Sequence, residues 1–532
     1  MTRQAGDTAP TTSQVVVRAM ERFGFKVAFG MPGMWSISLY DALLESGIRH
    51  VLVRHEQFAS YAADGYARAS GRPGLCVGTA GPGAINIASG LAVPFRDHSP
   101  VLAVTGQVPT HEKGMGWLED MDLQSVFAPV TKSTVEATPQ NAYDCVASAY
   151  LSSMEGCPGP AHISIPGDVQ RSPSRERDYL PEPSRPEPDP QAVEAVLEAI
   201  SGSHGPLILA GWGAILSGAS EGIVRLAETI PAYVATSYMG RGVLPEDHPL
   251  ALGPAGRRGT VAANSALSSS DLIIALGCRL SNLTLDRAKI TARIIQVDVD
   301  ERNYSPKSSL RVRSDVSALV DSLLPRLKAK SGKTLPPVEA PVKSGPQSIA
   351  MEYAKAIASS QDAIFSVDIG QHTIWLMQSL LVRKPRHVLI SGNMSTMGFS
   401  LPAGIGAKLA CPKEEVIVVM GDGGFQMTAG ELSTIRENDL ALAICVFNNR
   451  SLGLIRQLQE SVYGRVHGVD YACPPDYVKL AESCHVRAMK ADSPSDVREA
   501  LRGLDEPLVI EIPIPRAEGI EMSRPRVLDG KR

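Results

Sequence analysis

Asp422 and Asn449 are the side chains whose types and settings point most directly to chemistry. Asp422 stands among glycines, in Gly421-Asp422-Gly423-Gly424, directly after the apolar run Val416–Met420. Asn449 closes a second apolar run, Leu442–Phe447, as the latter half of Asn448-Asn449. A carboxylate and an amide oxygen are hard ligands, suited to an octahedral Mg²⁺ that also takes diphosphate oxygens. Flanking glycines let backbone N–H groups approach those oxygens, and a helix N-terminus adds positive potential. Each apolar run predicts a buried parallel strand, and a helical pattern spans about Thr428 to Asn438 between them. Asp422 and Asn449 then lie at the carboxyl ends of two strands of one sheet, where open α/β sheets bind ligands. Glycine-Asp-glycine alone reads equally well as an ordinary βα turn. The Asn pair closing the next strand tips the balance toward a ligand site.

The elements that must position these residues follow from the rest of the chain. At 532 residues it is too long for one core. A net charge of −4 gives no reason to expect a nucleic acid or an anionic membrane as partner. Eight scattered cysteines without a Cys-x-x-Cys pair read as thiols in a reducing compartment, not as disulfides or a zinc site. The first residues carry no apolar targeting core and no long apolar run occurs later, so a cytoplasmic location is expected. Two proline-rich stretches, Tyr179–Gln191 and Lys328–Pro346, read as linkers. They divide the chain into domains 1–180, 190–328 and 346–532. Each alternates short apolar runs with amphipathic helical patterns, so the fold class is α/β, with three doubly wound parallel sheets.

In the first third, the strand Val27-Ala28-Phe29 runs into Gly30-Met31-Pro32-Gly33, and the strand His50–Val53 into Arg54-His55-Glu56. A helix follows from about Gln57. Glu56 so placed is a candidate proton carrier at a strand end. As a lone Glu, it reads more simply as a first-turn residue that complements the helix dipole. Thr79 lies in another glycine loop, Gly78–Gly83. In the last third, Gly370, Gln371 and His372 follow a strand end, and Met397 alone reads as a core methionine.

Taken together, the segments RHEQ, ADGYARASGRPG, TAGPGA, TGQVPT, GQH, TMGFSLPA and GDGGFQMT resemble the thiamine-diphosphate (ThDP) enzymes, and within them the acetolactate (acetohydroxyacid) synthase branch, over nearly the whole chain. The resemblance implies pyrimidine-binding, central and diphosphate-binding domains, in that order. It implies that Glu56 hydrogen-bonds the cofactor pyrimidine as the activating acid–base group. The Ser395 carbonyl would accept from the 4′-amino group, and Met397 would wedge the cofactor into its bent form. Gly370, Gln371, His372, Gly421, Gly423 and Gly424 would lie at the diphosphate. Mg²⁺ would be held by Asp422, Asn449 and the Ser451 carbonyl. A homodimer or homotetramer with active sites between subunits, acting on small 2-keto acids or aldehydes, is implied as well.

Departures from the branch mark the substrate end. Candidate pocket residues are Met34, Trp35, Thr79, Gln107, Glu119, Leu454 and Leu458. Met34 and Trp35 stand where the synthases have small residues, and Leu458 stands near a synthase tryptophan. Leu454 and Leu458 read equally well as helix-core leucines. Glu119 replaces a glutamine. An ionised Glu cannot donate a hydrogen bond and repels a second carboxylate. Either burial keeps it protonated or the acceptor is not a 2-keto acid; a solvated loop Glu is the simpler alternative. Asn282-Leu283 stands in place of the Asp-Arg of flavin-bearing synthases, which argues against FAD. The leading expectation is a ThDP- and Mg²⁺-dependent decarboxylating carboligase. A 2-keto-acid decarboxylase or aldehyde lyase is the near alternative, and a cofactor-free regulatory homologue the distant one.

Overall fold

The computed structural model describes residues 9–286, 288–328, 348–360 and 362–520. Three six-stranded sheets organise them, and every strand pair is parallel. The first sheet contains β1 (Val27–Gly30), β2 (Arg49–Leu52), β3 (Gly74–Gly78), β4 (Val101–Gln107), β5 (Ser133–Glu136) and β6 (Ala161–Pro166), in the order β2-β1-β3-β4-β6-β5. The middle sheet contains β7 (Pro206–Ala210), β8 (Tyr233–Thr236), β9 (Ala251–Pro254), β10 (Leu272–Leu276), β11 (Arg293–Asp298) and β12 (Leu310–Arg313), in the order β12-β11-β10-β7-β8-β9. The third contains β13 (Ile364–Val367), β14 (Val388–Ile390), β15 (Val416–Gly421), β16 (Ala443–Asn448), β17 (Arg487–Lys490) and β18 (Leu508–Pro513), in the order β14-β13-β15-β16-β18-β17.

Central strands such as β4, β10 and β16 are buried along their whole length, as runs of Val, Ile, Leu and Ala flanked by helices on both faces must be. The strand order reverses between β1 and β3 in the first sheet and between β13 and β15 in the third. Ligands of doubly wound folds bind outside the carboxyl ends at such reversals. Those ends run into Met31–Gly33, Thr79–Gly83, Asp368–His372 and Asp422–Gly424, the segments singled out from sequence.

Two expectations shift in detail. The helical pattern placed at about 428–438 resolves into two helices, Asp422–Thr428 and Glu431–Glu437. Asp422 is thus the first residue of a helix whose N-cap is Gly421, not a loop residue ahead of one. Glu56 likewise opens the helix Glu56–Ser70 itself. The stretch Lys328–Pro346 lies, beyond Lys328, outside the described residues. The chain packs as two compact units. One holds the first sheet with residues 393–413 and 430–440, and the other holds the middle and third sheets. Among the described residues, no helix is long and apolar enough to cross a membrane.

Candidate active site

In the first unit, Glu56 and its neighbours gather around the glycine loop after β3. His55 adopts an extended backbone, and its ring accepts from Gln57 N at 3.2 Å, which starts the helix at Glu56. Glu56 Oε2 accepts from Asn86 Nδ2 at 3.0 Å. A Cβ at Gly83 would lie 3.2 Å from Glu56 Oε1 and 2.8 Å from Thr79 Cγ2, so only glycine lets the loop close over both. Thr79 Oγ1 accepts from Trp35 N at 3.3 Å. Met34 is half exposed, whereas the Trp35 indole packs against Gly167. Gln107 spends both ends of its amide on the chain just beyond β4: Nε2 donates to Met121 O at 2.8 Å and Oε1 accepts from Val108 N at 2.7 Å.

That same loop carries Glu119, in a left-handed conformation (φ 65°) that non-glycine residues adopt at a cost. Its Cβ sits 2.8 Å from where a Cβ of Gly81 would be. Glu119 Oε2 is buried with no hydrogen-bond partner among the described residues, and burial raises the carboxyl above its ordinary range.

Ser395 is exposed and also left-handed (φ 52°), while Met397 is half-buried. Their segment is tied down by Asn393, whose N and Nδ2 donate to Asp97 Oδ1 at 3.0 and 2.5 Å. Asp97 in turn pairs with Arg68, 3.1 Å away. Arg68 also makes a two-bond fork to Asp64, 2.7 Å on each arm, and lies over the Phe399 ring. All three charges are buried. Removing one partner of such a network strands the others, at a cost of about 3–5 kcal/mol. The network pins the far ends of the helices that begin at Glu56 and at Pro82.

Glu431 escaped sequence reasoning. It is fully buried, and Oε1 accepts from Arg54 N at 2.6 Å, fixing the strand end two residues before Glu56. Oε2 has no partner among the described residues. Burial, opposed by the Arg54 N–H, pushes its carboxyl up to about 7. The native protein therefore holds a proton there that the unfolded chain releases near 4.5, and stability falls as pH rises between those values. Glu431→Gln keeps an acceptor for Arg54 N and deletes that charge. It is expected to raise stability by up to about 3 kcal/mol above pH 7 and by little near pH 4. Denaturant unfolding at the two pH values checks this; equal effects at both would place the titration elsewhere. The signal available in the sequence was a Glu in the first turn of a helix whose neighbours are apolar.

In the second unit, Asp422 is 2% exposed and accepts from Gly423 N at 2.9 Å through Oδ1. Its Oδ2 is buried and has no partner among the described residues. Burial pushes it up to about 6, although the N–H groups of Gly423, Arg450 and Ser451 pull the other way. β15 pairs with β16, and the chain after β16 turns at Arg450 (φ 57°) to bring the Arg450 and Ser451 N–H groups beside Asp422, with Asn449 just before them. Asn449 Oδ1 accepts from Ser451 N at 3.0 Å and Ser451 O accepts from Gly453 N at 2.9 Å, which leaves each oxygen a second lone pair. Among the described residues no cluster of three or more His, Cys, Asp or Glu could hold a metal. The set is one carboxylate, one amide and one carbonyl. With an unspent buried carboxylate oxygen, it fits a Mg²⁺ that completes its shell with phosphate and water.

Gln371 Oε1 accepts from Asn449 Nδ2 at 3.4 Å, and Nε2 donates to Gln457 Oε1 at 2.9 Å. Gln457 is a second residue missed from sequence. His372 is buried 6.3 Å from Phe447, ring over ring, and burial lowers it to about 4. It is a neutral imidazole, and its Nε2 has no partner among the described residues. Gly370 caps the helix Gln371–Ser379. Leu454 and Leu458 lie on the helix Gly453–Tyr463, half-buried, and no residue of that helix is fully buried.

Comparison with known proteins finds three matches to domains of one enzyme family, in chain order. The N-terminal TPP binding domain of thiamine pyrophosphate enzymes matches residues 10–126, their central domain residues 193–323, and their C-terminal TPP binding domain residues 368–512. The chain is 38% identical to a probable acetolactate synthase large subunit of Methanocaldococcus jannaschii, over 96% of this chain and 93% of that protein. It is 35% identical to an acetolactate synthase large subunit of Lactococcus lactis, over 96% and 94%. It is 33% identical to the chloroplastic acetolactate synthase 2 of Nicotiana tabacum, over 98% and 84%.

Proposed function

This chain belongs to the thiamine pyrophosphate enzymes, among the acetolactate synthase large subunits, and from that premise we propose a Mg²⁺-dependent carboligase that decarboxylates a 2-keto acid and joins the remaining fragment to a carbonyl acceptor. The observation that supports the metal assignment is the buried Oδ2 of Asp422, without a partner among the described residues and close to the Arg450–Ser451 turn. A regulatory homologue without cofactor has no use for a carboxylate buried at that cost.

ThDP, when bound, supplies a carbon nucleophile and an electron sink. The chain supplies the rest. Glu56 takes and returns a proton at its carboxylate, steadied by Asn86. The Ser395 carbonyl accepts a hydrogen bond, and Met397 shapes the apolar floor. Asp422, Asn449 and Ser451 O would hold Mg²⁺, with Gly370, Gln371, His372 and the Gly421–Gly424 backbone at the diphosphate. His372, being neutral, adds a hydrogen-bonding group there without adding charge. No flavin is included in this reading. At the strand reversal of the middle sheet the loop after β7 bonds to the end of β10 and the glycine that follows it, Gly211 N to Leu276 O at 2.9 Å and Gly213 N to Gly277 O at 3.1 Å. The assembly is proposed to be a homodimer or homotetramer.

The acceptor divides two readings, and Glu119 favours the second. Ionised, the Glu119 carboxylate beside Gly81 repels the carboxylate of a second 2-keto acid and suits a neutral aldehyde or proton transfer, and burial moves the onset of that charge to higher pH. The test is product analysis with ThDP, Mg²⁺ and pyruvate, with and without added aldehyde. Wild-type protein is expected to give weak acetolactate and more acetoin-type product or free aldehyde. Glu119→Gln is expected to raise acetolactate about tenfold, the size of one repulsive contact of about 1.4 kcal/mol. Strong wild-type acetolactate formation, unchanged by the substitution, restores the plain synthase reading. No turnover of any 2-keto acid overturns both.

A further inference from the structure

The middle sheet contributes none of the residues assigned above, yet one of its loops grips the third sheet. Arg241 follows the short turn Tyr238–Gly240 after β8 and is 4% exposed. Its Nε and Nη2 fork onto Glu246, at 2.6 and 2.5 Å. Nη1 donates to Met377 O at 2.7 Å, and Nη2 donates also to Leu380 O at 2.8 Å. Those two carbonyls belong to the last turn and the C-cap of the helix Gln371–Ser379. The last four carbonyls of a helix have no partner inside it, and the helix dipole places its negative end there. A buried guanidinium answers both needs, and its planar fork suits several acceptors at once.

The grip continues along the chain. Glu246 N donates to Val382 O at 3.0 Å, and Val382 N donates to Glu246 Oε2 at 2.9 Å. A Cβ at Gly242 would fall 2.2 Å from Lys384 O, so the two segments touch backbone to backbone. Arg383 pairs with Asp247 at 2.8 Å, and Arg386 lies over the Trp212 ring with its guanidinium carbon 5.8 Å from the centroid. Segment 377–384 is thus fastened to segment 241–247 through Met377, Leu380, Val382, Arg383 and Lys384, and Arg386 adds a contact to Trp212.

The opposite end of the gripped helix carries Gly370, Gln371 and His372. Its axis is short, nine residues or about 14 Å at 1.5 Å per residue. A helix that short has no independent stability in water, so its position is set by what holds its ends. The geometry points to a positioning role for the middle sheet: Arg241, locked by Glu246, holds the helix Gln371–Ser379 in the place where its N-terminus meets the diphosphate. The inference rests on the proposed diphosphate role of that N-terminus. Arg241 touches no reacting atom, so it is a positioning residue.

The test compares full-length wild-type protein with Arg241→Met, Arg241→Lys and Arg241→Met/Glu246→Gln. ThDP affinity at fixed Mg²⁺ is measured by calorimetry, C2 deuterium exchange at saturating ThDP by NMR, and thermal unfolding in parallel. Arg241→Met is expected to weaken ThDP binding at least about tenfold, the low end for partners outside the ligand shell. The exchange rate at saturation should stay within about twofold, because Glu56 is untouched. The double variant should bind ThDP more tightly than Arg241→Met, since it no longer strands the buried Glu246 carboxylate. Arg241→Lys, which cannot span two carbonyls and the carboxylate, should fall between wild type and Arg241→Met. It keeps the charge and carries the comparison if Arg241→Met does not fold. A lower unfolding temperature with unchanged ThDP affinity would reduce Arg241 to a structural residue and overturn the inference. Wild-type protein that itself fails to bind ThDP with Mg²⁺ would instead overturn the diphosphate assignment.

Discussion

Glu56→Gln is expected to slow deuterium exchange at C2 of bound ThDP by at least about 10²-fold, the low end of general acid–base effects, with the fold unchanged. The substitution is nearly isosteric at the first position of a helix. The amide oxygen can still accept from Asn86 Nδ2, now 3.0 Å from Glu56 Oε2, and His55 still caps the helix through Gln57 N. Losing one acidic side chain from a first turn costs only a few tenths of a kcal/mol to about 1 kcal/mol. What Gln cannot do is take up and return a proton. The comparison is therefore of exchange rate against unfolding midpoint in the same two proteins. A slow variant with an unchanged midpoint assigns proton movement to Glu56. A variant that exchanges as fast as wild type moves the activating role to another group, and the first-turn helix reading of Glu56 would then suffice.

What could be read in advance followed from local rules. Apolar runs ending in Gly, Asp or Asn marked strand ends, because buried parallel strands are continuously apolar and their loops need backbone freedom. That located Gly30–Gly33, Thr79–Gly83, Gly370–His372 and Asp422, whereas Glu56 follows a strand that runs into Arg54-His55. The three sheets followed from the alternation of such runs with amphipathic stretches. Boundaries were less legible. Asp422 and Glu56 each open a helix because Gly421 and His55 carry the extended backbone of an N-cap, and neither is among the strongest capping residues in type.

The supporting groups were illegible for a different reason. Glu431, Asn86, Arg68, Asp97 and Arg241 meet their partners across long sequence separations, such as Arg54 with Glu431 or Arg241 with Met377. No periodicity announces such pairs. Their sequence neighbours are mixed in polarity, and only the fold shows that each is paired and at least partly buried. Gln107 is the converse case. It is a candidate pocket residue through the family resemblance, and in the structure it closes β4 with its amide bonded to Val108 N and Met121 O. The bonds leave it holding the loop that carries Glu119.

Asp422→Ala is expected to abolish Mg²⁺-dependent ThDP binding, a loss of about 10²-fold or more, as for removal of a charged ligand from a small site that depends on it. The same change should leave the protein without cofactor no less stable. Asp422 is buried and pushed up to about 6, so below about pH 4 both native and unfolded chains carry the proton. As pH rises through 6, the native state must hold a buried charge that the unfolded chain solvates, a cost approaching about 3 kcal/mol at pH 8. Alanine removes that cost. It gives up the acceptor for Gly423 N, worth about 1 kcal/mol, and leaves a small void, while the Arg450 and Ser451 N–H groups that also face the carboxylate keep Asn448 Oδ1 and Asn449 Oδ1 as acceptors. The variant should therefore unfold at an equal or higher temperature than wild type at pH 8 when neither has cofactor, and at a lower one when both are given ThDP and Mg²⁺, because only wild type gains from binding. Affinity in the wild type should also fall about tenfold per pH unit below 6, as the proton competes with the metal. Calorimetry and thermal unfolding, each with and without ThDP and Mg²⁺, measure all of this. Equal ThDP affinity in the two proteins would remove Asp422 from the metal site. A large loss of stability in the cofactor-free variant would mean instead that the carboxylate is held by bonds strong enough to offset its burial.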